Sequence, residues 1–252
     1  MNPDFLNFFK VRCKVQYINW LLSINQIDKN NYYDRLTYMI MERVLSASSA
    51  CMDIGCHIGS FLQKMIKLSP EGTFYAFEPV PSLFDHLKNT YPSEQVFLYN
   101  IALSDQVGRT AFNYVVSNPG YSGIKRRKYD RPEEKDIQIE VLTDTLDHLF
   151  HGRVIDLRFM KIDVEGAEYL VMKGGRQLIK QNKPYIVFEH GLGGADYYGI
   201  RPEDVHDLLC DECGLHISVL PDWLSGKEPL DRRVFCDHFY QGKDYYYLAH
   251  AD

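Results

Sequence analysis

No run of about eighteen uninterrupted apolar residues occurs in the 252-residue chain, so the sequence offers no candidate membrane-spanning helix. Positive charge is in deficit. Against 34 Asp plus Glu stand 28 Lys plus Arg, a formal net charge of −6, which argues against a general nucleic-acid binder. The six cysteines (Cys13, Cys51, Cys56, Cys210, Cys213 and Cys236) are too scattered for a disulfide framework and read as reduced thiols. The single Cys-x-x-Cys, Cys210 to Cys213, lacks the second pair of ligands that a zinc site needs. Met1-Asn2-Pro3-Asp4 shows no basic leader region and no small-residue cleavage site. Together with the thiols, this gives the expectation of a cytoplasmic protein. Low-complexity tracts and internal repeats are absent as well. What is present is ordinary for a folded domain: 45% hydrophobic and 25% charged residues, which excludes wholesale disorder.

The chain divides by pattern into a helical extension, residues 1–48, and a larger domain, residues 49–252. In the extension Tyr32, Leu36, Met39, Ile40 and Val44 recur at helix spacing. The segment around Phe5–Leu22 mixes Phe, Trp and Leu with Lys10, Arg12 and Lys14. It predicts a helix packed on its own domain or on a second copy, the latter giving a homodimer through the N-terminal helices. A helix lying on a membrane surface is the sharper alternative.

From residue 49 short apolar runs alternate with helical segments. Strands are expected at Ala50–Ile54, Thr73–Phe77, Val96–Ile101, Leu157–Asp163, Tyr185–Phe188, His216–Leu220 and Asp244–His250. Helices are expected at Ile58–Leu68, Pro81–Tyr91, Ala167–Lys180 and Arg201–Cys213. This rhythm predicts an α/β fold, a mostly parallel sheet with helices on both faces. Ligands of such sheets bind at the carboxyl ends of the strands. One stretch breaks the rhythm. Arg109–Val116 and Ile137–Leu142 read as strands, and the connector between them carries Lys125-Arg126-Arg127-Lys128. It reads as a mobile loop: the basic run is either simply solvated or part of a lid whose charge recruits an anionic acceptor.

The strongest chemical signal is Asp53-Ile54-Gly55-Cys56-His57-Ile58-Gly59 at the end of the first strand. Gly55 permits a sharp turn and close approach of a ligand, and Gly59 lets the next helix sit close. Asp53 stands where the dinucleotide pattern GxGxxG has its first glycine. A carboxylate there repels a pyrophosphate and favours an ammonium or a sulfonium, both of which S-adenosylmethionine (SAM) carries. Glu78 ends the second strand, where an acid can take both ribose hydroxyls of a nucleoside. Asn100, Ile101 and Ala102 leave the third strand, where adenine could stack. The second strong signal is Lys161-Ile162-Asp163-Val164-Glu165-Gly166-Ala167-Glu168. It places Asp163 and Glu165 at the end of the fourth strand, beside the reactive end of a nucleoside.

In their order, Asp53-Ile54-Gly55…Gly59, Phe77-Glu78-Pro79, Asn100…Ala102-Leu103-Ser104-Asp105, Leu142-Thr143…Thr145-Leu146-Asp147 and the Lys161–Glu168 motif resemble the FkbM-like SAM-dependent methyltransferases. Tyr121-Ser122-Gly123 falls where that family often has a serine-containing loop, and His57 departs from its usual Asn. The resemblance runs from about residue 50 to 192. It implies a Rossmann-like class I methyltransferase sheet of seven strands, the last antiparallel, and O-methylation of a sugar, glycan or other hydroxyl-bearing natural product. By the same resemblance Asp53, Gly55, His57 and Gly59 border the methionine part of SAM, Glu78 the ribose, and Asn100, Ile101 and Ala102 the adenine. Asp163 and Glu165 border the methyl group and the acceptor.

A sugar or alkyl hydroxyl is a poor nucleophile at neutral pH, so a general base is expected. Asp163, Glu165, Glu189 and His190 are the candidates, with the pair Glu189-His190 favoured for acceptor contact. Asp163, Glu165 and Glu189 could instead hold Mg²⁺ on the acceptor oxygens. The rival functions are an N- or carboxyl-methyltransferase, a NAD-dependent or nucleotide-sugar oxidoreductase on a similar sheet, and a non-catalytic binder.

Overall fold

The computed structural model describes residues 3–129, 131 and 133–252. The chain begins with helices α1 (Pro3–Ser23) and α2 (Lys29–Val44). Asp28 caps α2 by accepting from the Asn31 N–H, which satisfies one of the donors a helix start leaves open. Strand β1 (Ala50–Ile54), helix α3 (Ser60–Leu68), strand β2 (Thr73–Phe77), helix α4 (Pro81–Thr90) and strand β3 (Val96–Tyr99) follow. An inserted unit comes next, with strands β4 (Ala102–Leu103), β5 (Gly108–Val115) and β6 (Asp136–Asp144). The alternation then resumes through α5 (Leu146–Leu149), β7 (Leu157–Ile162), α6 (Glu168–Gly174), α7 (Arg176–Asn182) and β8 (Tyr185–Glu189). The last part holds α8 (Pro202–His206), β9 (His216–Val219), α9 (Leu220–Leu224), α10 (Arg232–Tyr240) and β10 (Tyr246–His250).

Seven strands form one sheet in the order β3-β2-β1-β7-β8-β10-β9. The β3, β2, β1, β7 and β8 pairings are parallel, and β10 runs antiparallel to both β8 and β9. This is the expected seven-stranded Rossmann-like sheet with its last strand reversed. Side chains alternate across it. Met52, Ile54, Met160, Ile162, Ile186, Phe188 and Tyr247 pack on one face with α7 and α10. Cys51, Phe159, Val187 and Leu248 pack on the other with α2, α3 and α9. Helix α2 is therefore part of the covering layer, with Leu36, Ile40 and Met41 fully buried.

Two expected helices differ from the structure. Ala167–Lys180 is split into α6 and α7 at Gly174-Gly175. A Cβ on Gly174 would overlap the Ser104 carbonyl, and one on Gly175 would press on Leu146, so this corner is set by close packing. Arg201–Cys213 starts as α8 and continues as a π-helical turn over Asp207–Glu212.

The connector after β5 is also different from the free loop expected of it. β5 and β6 form an antiparallel ladder over residues 108–115 and 136–143, and Asn113 bridges to Gly123. Ser122 Oγ accepts from the Val115 N–H, which ties the connector back to its own strand. Lys125 and Lys128 donate their N–H groups to the Tyr198 and Tyr197 hydroxyls, 2.9 and 3.1 Å away. The basic run is thus an anchored strap. Among the described residues, no helix is long and apolar enough to cross a membrane.

Candidate active site

At the carboxyl ends of β1, β2, β7 and β8 lies a cavity of about 660 Å³, within the usual range for small-molecule sites. Its floor is made by the turn after β1. Gly55 has φ +79°, and a Cβ there would overlap the Asp163 carbonyl oxygen, so only glycine lets β1 and β7 diverge this closely. Gly59 has φ +84° and opens α3, and its carbonyl accepts from the Tyr91 hydroxyl.

One wall carries Glu78, which is buried. One carboxylate oxygen accepts from the His57 N–H at 2.8 Å, and the other accepts from the Val80 N–H at 2.9 Å. Burial pushes its pKa up to about 7, against the lowering effect of those two bonds. Each oxygen keeps a lone pair for a ligand hydroxyl. Ile101 and Ala102 line the same end. Asn100 does not. Its amide donates to the carbonyls of Glu78 and Pro79, so it shapes the turn that presents Glu78 and stays off the cavity wall.

The opposite end gathers charge. Strand alternation puts Lys161, Asp163, Glu189 and Tyr246 on the α2–α3 face, and all four line the cavity. Asp163 Oδ2 accepts from Lys161 Nζ at 2.7 Å and from the Tyr246 hydroxyl at 2.8 Å. Burial raises the Asp163 pKa, but the ammonium and these bonds outweigh it and hold it below the ordinary carboxylate value. Burial alone would likewise depress Lys161, while Asp163 and Asp53 keep it cationic. Glu189 has the opposite environment. Burial, then the Asp163 and Glu168 charges, push its pKa well above the usual range. Two neighbouring carboxyls are therefore driven apart in proton affinity, the pattern of an acid–base site.

Several expected site residues sit elsewhere. Asp53 is buried beneath the turn, beside Cys56, the first turn of α3 at Leu62, and Lys161, and does not line the cavity. Its strand position turns it under α3, so negative charge reaches the cavity through Asp163. His190 is turned to the other sheet face and stacks against Phe235 and Phe239, with ring centroids 5.9 and 4.7 Å away. Burial pushes its pKa down to about 3, and the ring lies outside the cavity. Consecutive strand residues face opposite ways, so Glu189 and His190 could not both point into one site.

Glu165 does line the cavity, at φ +59°, but it is ion-paired with Arg127 of the strap, which also lies 4.9 Å from the centroid of the Tyr121 ring. The carboxylates that cluster are instead Asp163, Glu168 and Glu189, within 4.8 Å of one another. Glu168 is committed to the turn, accepting from the Val164 and Gly166 N–H groups. The expected Mg²⁺ set Asp163, Glu165 and Glu189 is not assembled, because Glu165 answers Arg127 and Asp163 answers Lys161.

Lys161 and Tyr246 received no role from sequence, yet both had a signal. Lys161 sits two residues before Asp163 in a strand, hence on the same face. Tyr246 pairs in register with Glu189. Asn30 and Asp34, which α2 adds to the wall, carried none.

The donor set fits SAM or its demethylated product. A buried acid faces the cavity at the end of β2, the glycine turn allows close approach, and an ionised Asp163, paired with Lys161, lines the same cavity. A family description, the methyltransferase FkbM domain, matches residues 53–216. The methyltransferase sdnD of Sordaria araneosa is 25% identical in an alignment 159 positions long that covers 52% of this chain and 61% of that protein. The crystal structure of methyltransferase FkbM from Methylobacillus flagellatus KT is 16% identical, with TM-score 0.48, over 82% of this chain and 44% of that one. A TehB-like SAM-dependent methyltransferase from Corynebacterium glutamicum is 11% identical, with TM-score 0.41, over 87% of this chain and 95% of that one. The chain thus spans less than two thirds of the curated relative and less than half of the solved FkbM chain. With the motif-bearing turns at one cavity and the family match spanning residues 53–216, the chain belongs to the methyltransferase FkbM domain family.

Proposed function

We propose that the enzyme methylates a hydroxyl oxygen of a small-molecule or glycan acceptor, and that Glu189 is the general base. One observation carries this reading: Glu189 lines the cavity beside Asp163, and burial with the neighbouring Asp163 and Glu168 charges holds its proton affinity well above that of an ordinary carboxylate. A carboxylate of ordinary pKa is a weak base for an alcohol, and a raised proton affinity makes it a stronger one. Grouped carboxyls also disfavour a carboxylate acceptor at the transfer point, which speaks against carboxyl methylation. No dinucleotide glycine pattern supports the oxidoreductase reading.

In this scheme Gly55, His57, Glu78, Ile101, Ala102 and Asp163 hold SAM, which when bound supplies an electrophilic methyl group. Glu78 accepts the ribose hydroxyls. Asp163 stays ionised through Lys161 and Tyr246 and offers a fixed negative charge at the reactive end. Glu189 orients the acceptor hydroxyl and takes its proton. The strap, with Tyr121, Ser122, Ile124 and Arg127 on the cavity wall, keeps water from the reacting pair. Positioning supplies most of the remaining rate enhancement.

The test is a panel of sugars, nucleotide sugars and alcohols incubated with SAM and analysed by mass spectrometry for the gain of one methyl group. Glu189→Gln should lower turnover about 10²–10⁴-fold. Its calorimetric affinity for S-adenosylhomocysteine should stay within a factor of about three. Methyl transfer only to nitrogen, or full turnover by Glu189→Gln, would sink the proposal.

A further inference from the structure

Helix α1 has two apolar faces and only one of them is covered. Val15 and Ile18 are buried, and Val11 and Leu22 join them against the core shared with α2 and α9. The Tyr32 hydroxyl donates to Asn19 Oδ1 at 2.8 Å, which fixes the rotation of α1 on α2. On the outer side Phe9, Cys13, Tyr17 and Trp20 follow one another at spacings of four, four and three, and Ile24 continues the line just past the helix end. At 100° per residue they fall within a sector of about 80°. Phe9, Tyr17 and Trp20 are each more than half exposed, and the Tyr17 and Trp20 rings stack with centroids 5.9 Å apart. A helix that is apolar on both sides in a water-soluble setting leaves one side in need of a partner.

Charge says which partner. Residues 9–24 contain Lys10, Arg12 and Lys14 and no carboxylate, in a chain whose formal net charge is −6. Lys10 and Lys14 fall on one flank of the aromatic strip and Arg12 on the other, and all three are exposed. Long basic side chains beside an aromatic strip can extend to headgroup phosphates while the rings enter the headgroup and acyl boundary. A two-fold contact with a second copy would bring the same cations together, and residues 9–24 hold no acid to answer them. We propose that α1 docks the enzyme on an anionic lipid bilayer. The helix lies in the plane of the surface, with Phe9, Tyr17 and Trp20 inserted and Lys10 and Lys14 on the lipid phosphates.

The full chain is sedimented with vesicles of phosphatidylcholine alone and of phosphatidylcholine with phosphatidylglycerol at 7:3, in low and high salt. Trp20 is 54% exposed and Trp223 is 7% exposed, so a blue shift of tryptophan emission on binding reports Trp20. The expected result is cosedimentation and a blue shift with the anionic vesicles, both reduced by salt. Lys10→Gln/Lys14→Gln should weaken partitioning on the order of 30-fold. Tyr17→Ser/Trp20→Ser should abolish it with an unchanged thermal melt, since both positions are exposed. Failure of the wild-type chain to bind, or undiminished binding by both variants, overturns the proposal. So does light scattering that finds a dimer which Tyr17→Ser/Trp20→Ser dissolves, because the face then belongs to a second copy. A binding isotherm for S-adenosylhomocysteine, run in parallel, keeps this outcome separate from that of the active-site reading.

Discussion

Glu78 shows how much one buried carboxylate must do. It accepts two backbone N–H bonds, which fix the turn after β1 against the turn after β2, and it still faces the cavity. Removing its charge therefore acts on the ligand and on the turn together. Glu78→Gln replaces one acceptor oxygen by a donor that opposes a backbone N–H. Hydrogen bonds to charged groups contribute about 1.5–3 kcal/mol. The affinity for S-adenosylhomocysteine should accordingly fall about 10- to 100-fold in calorimetry, whatever the acceptor. Its pH dependence gives a second readout. With a pKa pushed up to about 7, Glu78 accepts ribose hydroxyls best when ionised, so wild-type affinity should weaken as pH falls below neutrality. A Glu78→Gln variant with wild-type affinity would remove the residue from the ribose site.

The strap is the element whose role depends most on tertiary contacts. Lys125 and Lys128 bond to the Tyr198 and Tyr197 hydroxyls, Lys125 Nζ reaches the Tyr197 carbonyl, and Arg127 is paired with Glu165. Burial pushes the Tyr198 pKa up to about 12, which keeps its hydroxyl protonated as the Lys125 N–H donates to it. Tyr198→Phe deletes that one anchor, worth about 0.5–1.5 kcal/mol. Opening should become about 3- to 10-fold more frequent, and trypsin should cut within Lys125–Lys128 faster by that factor. An unchanged cleavage rate would mean that Tyr198 does not hold the strap. None of this closure was legible in the sequence, because it pairs residues some seventy positions apart. The sheet was legible for the opposite reason. Each strand is a short apolar run between local turn signals, and Gly55 and Gly59 mark a backbone path that few other sequences allow. Site membership fell between these extremes. Glu78 and Asp163 sit at strand ends and were found there, whereas the direction in which Asp53 and His190 point depends on register. Lys161 needed only the alternation along β7, whereas Tyr246 needed strand pairing as well as strand prediction.

The whole molecule carries a stability cost for this arrangement, visible in how folding should respond to pH. Glu168 is 1% exposed and its pKa is raised to about 7, chiefly by burial. The unfolded carboxyl titrates near 4.3. Because the folded pKa lies above the unfolded one, its stabilising contribution is complete below about pH 4.3 and is lost as pH rises through about 7. His190 acts in the opposite direction. Burial pushes its pKa down to about 3, so folding loses stability as pH falls from about 6.5 toward 3. Raw melting profiles mix the two, and a comparison with Glu168→Gln separates them. The substitution keeps an acceptor oxygen for the Val164 and Gly166 N–H groups and removes the titration. Relative to wild type, Glu168→Gln should gain roughly 2–3 kcal/mol between pH 4.5 and pH 8 in urea unfolding. Its His190-dependent loss in acid should remain. Parallel wild-type and variant profiles would show that Glu168 is ionised throughout, and that the carboxyl cluster holds more negative charge at neutral pH than its burial allows.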